Sequence, residues 1–137
     1  QKGIQDCKDT YNWVSAYKKS STELCNNIVY EPKKKLCIAV IKDNYTICKE
    51  INESSLEPED NETDVRKICV SWVTGNKTLC EGISSRVIKD ACYNFPFLFK
   101  AIKENDIILC EAITNSDTRK QCMAAISKDT SFCENIM

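Results

Sequence analysis

Histidine is absent from this sequence of 137 residues. The chain therefore lacks the most common general base of enzymes that use a nucleophile and a base. Haem attachment through Cys-x-x-Cys-His is also excluded. A charge excess is also missing: the net charge is −1, which gives no global attraction to nucleic acid or to an anionic membrane. The longest apolar runs, such as Phe95–Phe99 and Cys37–Ile41, are far too short to span a bilayer.

What the chain does contain is typical of a folded secreted protein. Apolar residues make up 42% and charged residues 28%, so we expect a single folded domain over residues 1–137. Ten cysteines, an even number with regular spacing, indicate an oxidising compartment. The chain opens with Gln1, as a mature protein does after signal-peptide removal; an artificial start is the alternative.

Four N-x-Ser/Thr sequons agree with this compartment. They begin at Asn44, Asn52, Asn61 and Asn76. Roughly one or two would be expected by chance, and sequons are acceptor sites only on translocated proteins. We therefore predict an N-glycosylated protein that is secreted, extracellular or at the cell surface.

The cysteines fall into two alternating kinds. A cysteine of the first kind, here called a box cysteine, lies in an apolar-Cys-x-x-Ile segment; one of the second kind, here called a helix cysteine, lies in a longer segment of helical periodicity. The box cysteines are Cys25, Cys48, Cys80, Cys110 and Cys133, and the helix cysteines are Cys7, Cys37, Cys69, Cys92 and Cys122. Four helix cysteines follow a basic residue by three positions, at Lys34, Arg66, Lys89 and Arg119. The pattern predicts an all-α fold of disulfide-stapled helical repeats, as a small α-solenoid or a compact helical array.

The spacing of the two kinds supports helix. A helix cysteine precedes the next box cysteine by 11 or 18 residues. The difference of seven residues is two helical turns and rotates a side chain by only about 20°, so a longer helix keeps its cysteine on the same face. We expect the longer helices at Cys7 and Cys92. Gly75 is predicted to end a helix in the left-handed conformation, and Thr78–Glu81 is typical of a capping box.

Two disulfide patterns fit the repeat. Pairing each helix cysteine with the next box cysteine leaves none over and is preferred: Cys7–Cys25, Cys37–Cys48, Cys69–Cys80, Cys92–Cys110 and Cys122–Cys133. The opposite phase pairs each box cysteine with the next helix cysteine and strands Cys7 and Cys133. Zinc is not favoured, because zinc ligands are normally two to four residues apart and the closest cysteines here are eleven apart.

Residues 52–64 are predicted to form an acidic, solvated and glycosylated surface loop, because they hold six acidic residues and no basic ones. Calcium binding by this loop is the alternative, although the EF-hand spacing is absent. The basic run Lys33–Lys35 is interpreted as an exposed helix face. No catalytic residues stand out, so we predict no enzyme, no metal, no cofactor and no nucleic-acid partner.

The repeat resembles cysteine-rich Sel1-like and tetratricopeptide-type proteins, whose paired helices stack into a solenoid. The segment Leu109–Ile113, followed by Arg119, Cys122 and Ile126, is similar to repeats in secreted archaeal proteins. The resemblance implies extracellular or cell-surface use and no defined activity.

Two functions are open at this point. The preferred one is a structural protein that self-assembles with copies of itself, for example as a filament or layer subunit. Its candidate interface comprises Phe95, Phe97, Leu98, Phe99, Ile136 and Met137. Core packing is the alternative for the Phe95–Phe99 segment, and Trp13, Tyr17 and Trp72 are expected in the core. The alternative function is a monomeric secreted module that binds a protein or glycan.

Overall fold

The computed structural model describes residues 2–56 and 60–127, and in these ranges the protein is all-α, as predicted. Five α-helices lie there: α1 (Lys2–Lys19), α2 (Glu31–Lys42), α3 (Glu62–Thr74), α4 (Arg86–Glu104) and α5 (Ser116–Ser127). Between them lie the 3₁₀ helices η1 (Leu24–Asn27), η2 (Tyr45–Glu50), η3 (Glu53–Ser55), η4 (Lys77–Gly82) and η5 (Ile107–Ala112). Every described helix cysteine lies in an α-helix, and every described box cysteine lies in a 3₁₀ helix.

Each described box is a 3₁₀ turn that ends at its isoleucine, three residues after the cysteine. A 3₁₀ helix has three residues per turn, so residues i and i+3 lie on the same side. The four described box cysteines are fully buried, and the isoleucines three positions later are at most 2% exposed. Each isoleucine N–H donates to the cysteine carbonyl, as Ile28 does to Cys25 over 3.0 Å.

The helix lengths follow the cysteine spacing. Helices α1 and α4, which hold Cys7 and Cys92, have 18 and 19 residues, whereas α2 and α3 have 12 and 13. The prediction of two extra turns is therefore confirmed. Gly75 ends α3 with a φ of 77°, the left-handed conformation that glycine adopts without steric cost.

The helices form a closed array. Helix α1 packs against α2, α4 and α5, and α3 lies between α2 and α4. The first and last α-helices of the described residues are therefore neighbours, and Trp13 of α1, Leu98 of α4 and Ala125 of α5 share one apolar core. A second core lies around α3, where Val65 and Ile68 pack with Ile88. Of the two predicted arrangements, this is the compact array.

Disulfides join neighbouring helices, as predicted, but in the opposite phase from the preferred one. The four bonds between described residues are Cys25–Cys37, Cys48–Cys69, Cys80–Cys92 and Cys110–Cys122. Each staples a 3₁₀ helix to the α-helix after it, with Cα atoms 5.7 to 5.8 Å apart. Cys7 is also disulfide-bonded, and Cys133 lies outside the described residues. The preferred pairing was wrong because it assumed an open array in which this phase strands the terminal cysteines.

The two arginines that precede helix cysteines, Arg66 and Arg119, reinforce the same region of the fold. The Nε atom of Arg66 donates to the Ile51 carbonyl over 2.9 Å, beside the bond from Cys69 to the same box. Arg119 donates to the Ile113 carbonyl over 3.0 Å. Both isoleucines end their 3₁₀ helices. The arginine therefore satisfies a carbonyl at a helix end, which would otherwise lack a partner.

Candidate functional site

The candidate interface on α4 is mostly buried. Phe95 is 8% exposed and Leu98 fully buried, and Phe99 is half-buried. Of this segment, Phe97 alone is substantially exposed, at 39%. The interpretation of Phe95 and Leu98 as docking residues is therefore wrong, because both lie inside the closed array; Ile136 and Met137 lie outside the described residues.

Phe95 and Phe99 belong to an aromatic cluster that joins α1, α3 and α4. The Phe99 ring centroid lies 4.4 Å from that of Trp13 and 5.4 Å from that of Trp72, against which Phe95 stacks at 5.1 Å. Tyr17 completes the cluster, 5.6 Å from Phe99. These rings fill the space where the two long helices meet α3. The core prediction is confirmed for Trp13, which is 3% exposed, whereas Trp72 and Tyr17 are half-buried at the edge of the cluster.

Pro96 lies within α4 without interrupting it. Proline has no N–H, so the carbonyl four residues earlier, on Cys92, loses its helical partner. The indole Nε1 of Trp72 donates to that carbonyl over 3.4 Å. An indole from the neighbouring helix thus replaces the backbone donor that Pro96 removes.

The sequon asparagines are all exposed, and three of them cap helices. Asn44 and Asn76 accept hydrogen bonds from the N–H groups of Thr46 and Thr78 at the starts of η2 and η4. Asn61 accepts from the Asp64 N–H at the start of α3, and Asn52 accepts from the Ser54 hydroxyl. The predicted capping box at Thr78–Glu81 is wrong, because the residue that caps η4 is Asn76, two positions earlier.

Asp106 shows what this capping position requires. It starts η5 and accepts from the Ile108 N–H over 3.0 Å, as Asn44 and Asn76 do in the equivalent helices. The position needs a short side chain with an acceptor oxygen, which Asn and Asp both supply. Helix capping alone therefore accounts for two of the asparagines from which glycosylation was predicted.

The predicted acidic loop is shorter than expected. Residues 53–55 form η3, and α3 begins at Glu62, so Asp64 belongs to a helix. Asp64 is 2% exposed rather than solvated. Within residues 2–56 and 60–127, no group of three or more carboxylate or cysteine side chains could hold a metal ion.

Two buried aspartates each join one α-helix to the start of the next: Asp9 joins α1 to α2, and Asp64 joins α3 to α4. Asp64 accepts hydrogen bonds from the N–H groups of Ser84 and Ser85, at 3.0 and 2.9 Å, and from the Ser84 hydroxyl at 2.8 Å. Asp9 accepts in the same way from Val29 and Tyr30, at 2.9 and 3.1 Å. Both residues lie 16 positions before a box cysteine. The two clamps fix the N-terminal ends of α4 and α2.

The Asp64 carboxyl is held in its charged form. Burial on its own would raise its pKa, but the hydrogen bonds from Ser84 and Ser85 and the positive charge of Lys67 outweigh that effect and leave the pKa below its usual value. A carboxylate is a stronger acceptor than a neutral acid. The clamp on α4 is therefore fully formed at neutral pH.

These helix ends surround a cavity of about 310 Å³, here called the acidic cavity. Tyr30 and Lys33 come from the start of α2, Asp90 from α4 and Asp117 from α5, while Asp60 lies just before α3. The remaining lining residues are Asp6, Val87, Ala91, Phe95, Asn115, Thr118 and Gln121. Four aspartates and one lysine therefore line the space, which makes it acidic although the whole chain is nearly neutral.

Several lining groups hold one another in place. The Tyr30 hydroxyl donates to Asp60 over 2.6 Å. Lys33 donates to the Thr10 hydroxyl over 2.7 Å and to the Asp6 carbonyl over 3.3 Å, so the exposed face predicted for residues 33–35 is interrupted by an inward-facing lysine. These bonds fix the cavity wall between α1, α2 and the segment before α3.

Gln121 is a buried lining residue without such support. Its side chain is 8% exposed, and its Oε1 atom is enclosed and accepts no hydrogen bond from the described part of the chain. A buried acceptor without a donor costs about 1–3 kcal/mol. Asp117 lies in the first turn of α5, and Gln121 lies one turn further along the helix.

Sequence reasoning missed the acidic cavity. Asp6, Lys33, Asp90 and Gln121 come from four helices, and no local motif connects them. A signal did exist for the clamp residues, because Asp9 and Asp64 keep the same distance to their box cysteines.

The comparisons with known proteins find no matching protein-family model, no similar curated protein and no similar solved structure. Among the helices of the described residues, none is long and apolar enough to cross a bilayer. The described chain is mostly helical and disulfide-bonded.

Proposed function

We propose that this protein is a secreted, disulfide-stapled binding module whose ligand site is the acidic cavity. The observation that carries the proposal is the buried, unpartnered amide of Gln121 in the wall of a cavity lined by charged groups. Buried polar groups in native proteins normally have partners, and an exception calls for a functional reason. A ligand in the cavity would supply a partner once the amide turns its oxygen toward the open space.

The construction of the cavity supports this role. Its wall comes from the starts of α-helices that are stapled by disulfides to the preceding 3₁₀ helices. A site on rigid elements keeps its geometry without a ligand, which reduces the entropy lost on binding. The volume of about 310 Å³ lies at the lower end of the range for small-ligand sites.

An extracellular location is part of the proposal. Disulfides of this density persist in oxidising compartments. The exposed sequon asparagines are available to a glycosylating enzyme, since each hydrogen bond described above uses the Oδ1 atom and leaves the amide nitrogen unused. The repeated boxes give the chain an architectural likeness to Sel1-like, tetratricopeptide-type and secreted archaeal repeats, and this analogy also favours an extracellular location.

Self-assembly is the less supported function. It was predicted from Phe95–Phe99 and the last two residues, and in the described part of the chain only Phe97 remains as a candidate contact. Light scattering coupled to size-exclusion chromatography of native material tests it. A monomer favours the binding module, and a defined polymer would favour the structural role.

The binding proposal is tested by blocking the cavity mouth. Val87 lines the cavity and is 79% exposed, so Val87→Trp adds an indole at the mouth without disturbing the core. Ile108 is 67% exposed and lies on η5 away from the cavity, so Ile108→Trp is the matched control. Cationic, anionic and neutral small molecules are titrated into each ¹⁵N-labelled protein, with backbone amides followed by NMR.

We expect at least one chemical class to shift the amides of Asp90, Thr118 and Gln121 in the wild type and in Ile108→Trp, and the shifts to be lost in Val87→Trp. If no class shifts these amides at millimolar concentration, the cavity is not a ligand site and the proposal is wrong. Equal shifts in all three proteins would refute it as well, because they would place binding elsewhere.

A further inference from the structure

We infer that the acidic cavity binds an organic cation that donates hydrogen bonds, namely an alkylammonium or alkylguanidinium group. The inference rests on the proposed function and names the ligand class of the same site. It follows from the charge of the lining, the unpartnered amide and the apolar part of the wall.

Charge excludes the opposite class. Asp6, Asp60, Asp90 and Asp117 line the cavity against one cation, Lys33. Lys33 already donates to the Thr10 hydroxyl and the Asp6 carbonyl. An anion would meet an excess of negative charge, whereas a cation would be attracted by it.

Hydrogen-bonding capacity agrees with a donor. Ionised carboxylates only accept hydrogen bonds, and ammonium and guanidinium groups only donate them. The acceptor without a partner in this wall is Gln121 Oε1. Oε1 is enclosed as the side chain stands; a half-turn of the amide, at nearly unchanged shape, would bring this oxygen to the cavity side and place the Nε2 group in the enclosed position.

The apolar residues accommodate the chain that carries the charge. Val87, Ala91 and Phe95 follow one another along one face of α4 and line the cavity with Asp90. Amphipathic cations bury their methylene groups against apolar surface and keep the charged end with polar partners. A small inorganic cation would leave this face uncovered, while an alkyl cation covers it.

Two sources can supply this chemistry: a Lys or Arg side chain of a partner protein, or a free alkylamine or alkylguanidine. The cavity recognises the charged group and its first methylenes in either case. The distinction depends on whether the mouth, beside exposed Val87 and Asp117, admits a peptide backbone.

The experiment uses four probes of similar size on the disulfide-intact protein: butylammonium, butylguanidinium, neutral butylurea and butanoate. Dissociation constants are measured by NMR from the amides of Asp90, Thr118 and Gln121 at neutral pH. We expect one or both cations to bind about tenfold or more tightly than butylurea, the advantage of one charge-assisted hydrogen bond. Butanoate should produce no shift.

Variants test which groups provide the recognition. Asp117→Asn removes an exposed charge with little risk to folding, and Gln121→Leu removes the amide at nearly constant size. We expect each to weaken cation binding about tenfold, because Asp117→Asn leaves only a neutral acceptor in place of a charged one and Gln121→Leu removes an acceptor. Glu81→Gln is the matched control, because Glu81 is exposed on η4 outside the cavity lining and its loss should leave binding unchanged.

A second pair of probes separates the sources. Acetyl-Gly-Arg-Gly-amide is compared with the same peptide containing citrulline, which is neutral and nearly isosteric. If the arginine peptide binds and the citrulline peptide does not, the ligand is a side chain of a partner protein. If butylguanidinium binds and neither peptide does, the ligand is a free small cation.

The inference is overturned if butylurea or butanoate binds as tightly as the cations, or if Asp117→Asn and Gln121→Leu both leave cation binding unchanged. The first result would leave the cavity as a binding site for another class, so the proposed function would stand. If none of the four probes and not the arginine peptide shifts these amides, both the inference and the proposed function are wrong.

Discussion

Replacing Asp64 with asparagine isolates the clamp that holds the start of α4. The carboxylate accepts three hydrogen bonds, two from backbone N–H groups of Ser84 and Ser85, and it is 2% exposed. Asparagine keeps one acceptor oxygen, but its NH₂ group would face donors that the second carboxylate oxygen now satisfies. Hydrogen bonds to a charged group are worth about 1.5–3 kcal/mol each, so we expect Asp64→Asn to lower the free energy of unfolding by about 2–4 kcal/mol at pH 7.

The stability that Asp64 contributes should depend on pH, and the direction follows from its pKa. Because the folded-state pKa of Asp64 is depressed, its contribution is fully present above the unfolded-state pKa, about 3.9, and is lost as pH falls through the folded-state pKa. The wild type should therefore lose stability in acid more steeply than Asp64→Asn. The difference between the two proteins should shrink progressively below about pH 4.

Urea unfolding of the disulfide-intact proteins at pH 7, 4 and 2.5, followed by far-ultraviolet circular dichroism, measures these free energies. Asp43→Asn is the control: Asp43 is exposed with a left-handed backbone that asparagine also tolerates, so we expect a change within about 0.5 kcal/mol. An Asp64→Asn effect below about 0.5 kcal/mol at pH 7, or one equally large at pH 2.5, would refute the account of the clamp.

Two further predictions concern the staples and α4. Non-reducing peptide mapping should find the four bonds described above together with Cys7–Cys133, because Cys7 is disulfide-bonded and Cys133 is the one cysteine left by count; a Cys7–Cys25 peptide would contradict this. In a double-mutant cycle, Trp72→Phe should cost about 1 kcal/mol more with Pro96 present than in Pro96→Ala, where an N–H again reaches the Cys92 carbonyl; strictly additive effects would show that the indole bond adds nothing.

Local features of the fold could be predicted from the sequence because they depend on residues close in the chain. The seven-residue difference in cysteine spacing predicts the two longer helices, and Gly75 predicts the end of α3. Both features are set by helical periodicity and by backbone conformation at one position. Neither requires knowledge of which helices become neighbours.

The disulfide phase and the burial of Phe95 and Leu98 could not be predicted in that way, because both depend on the packing of α1 against α5 and α4. In an open array the preferred phase is favoured because it leaves no terminal cysteine unpaired. In the closed array α1 and α5 are neighbours and Cys7 is disulfide-bonded, so that reason no longer applies. The Pro96 segment likewise resembles an exposed patch until Trp72 is known to lie beside the freed Cys92 carbonyl.

The acidic cavity is a consequence of the same closure. Asp9 and Asp64 hold the starts of α2 and α4 through the same hydrogen-bonding arrangement, so equivalent ends of these helices are fixed against the rest of the array. Where helix starts converge, residues of the first turns face one another, and an acidic side chain there is favoured by the helix dipole. The dipole accounts for Asp117 at the start of α5, but Gln121, a turn further along, gains nothing from it. The amide of Gln121 therefore needs another explanation, and a donor ligand is the one that the charge of the cavity favours.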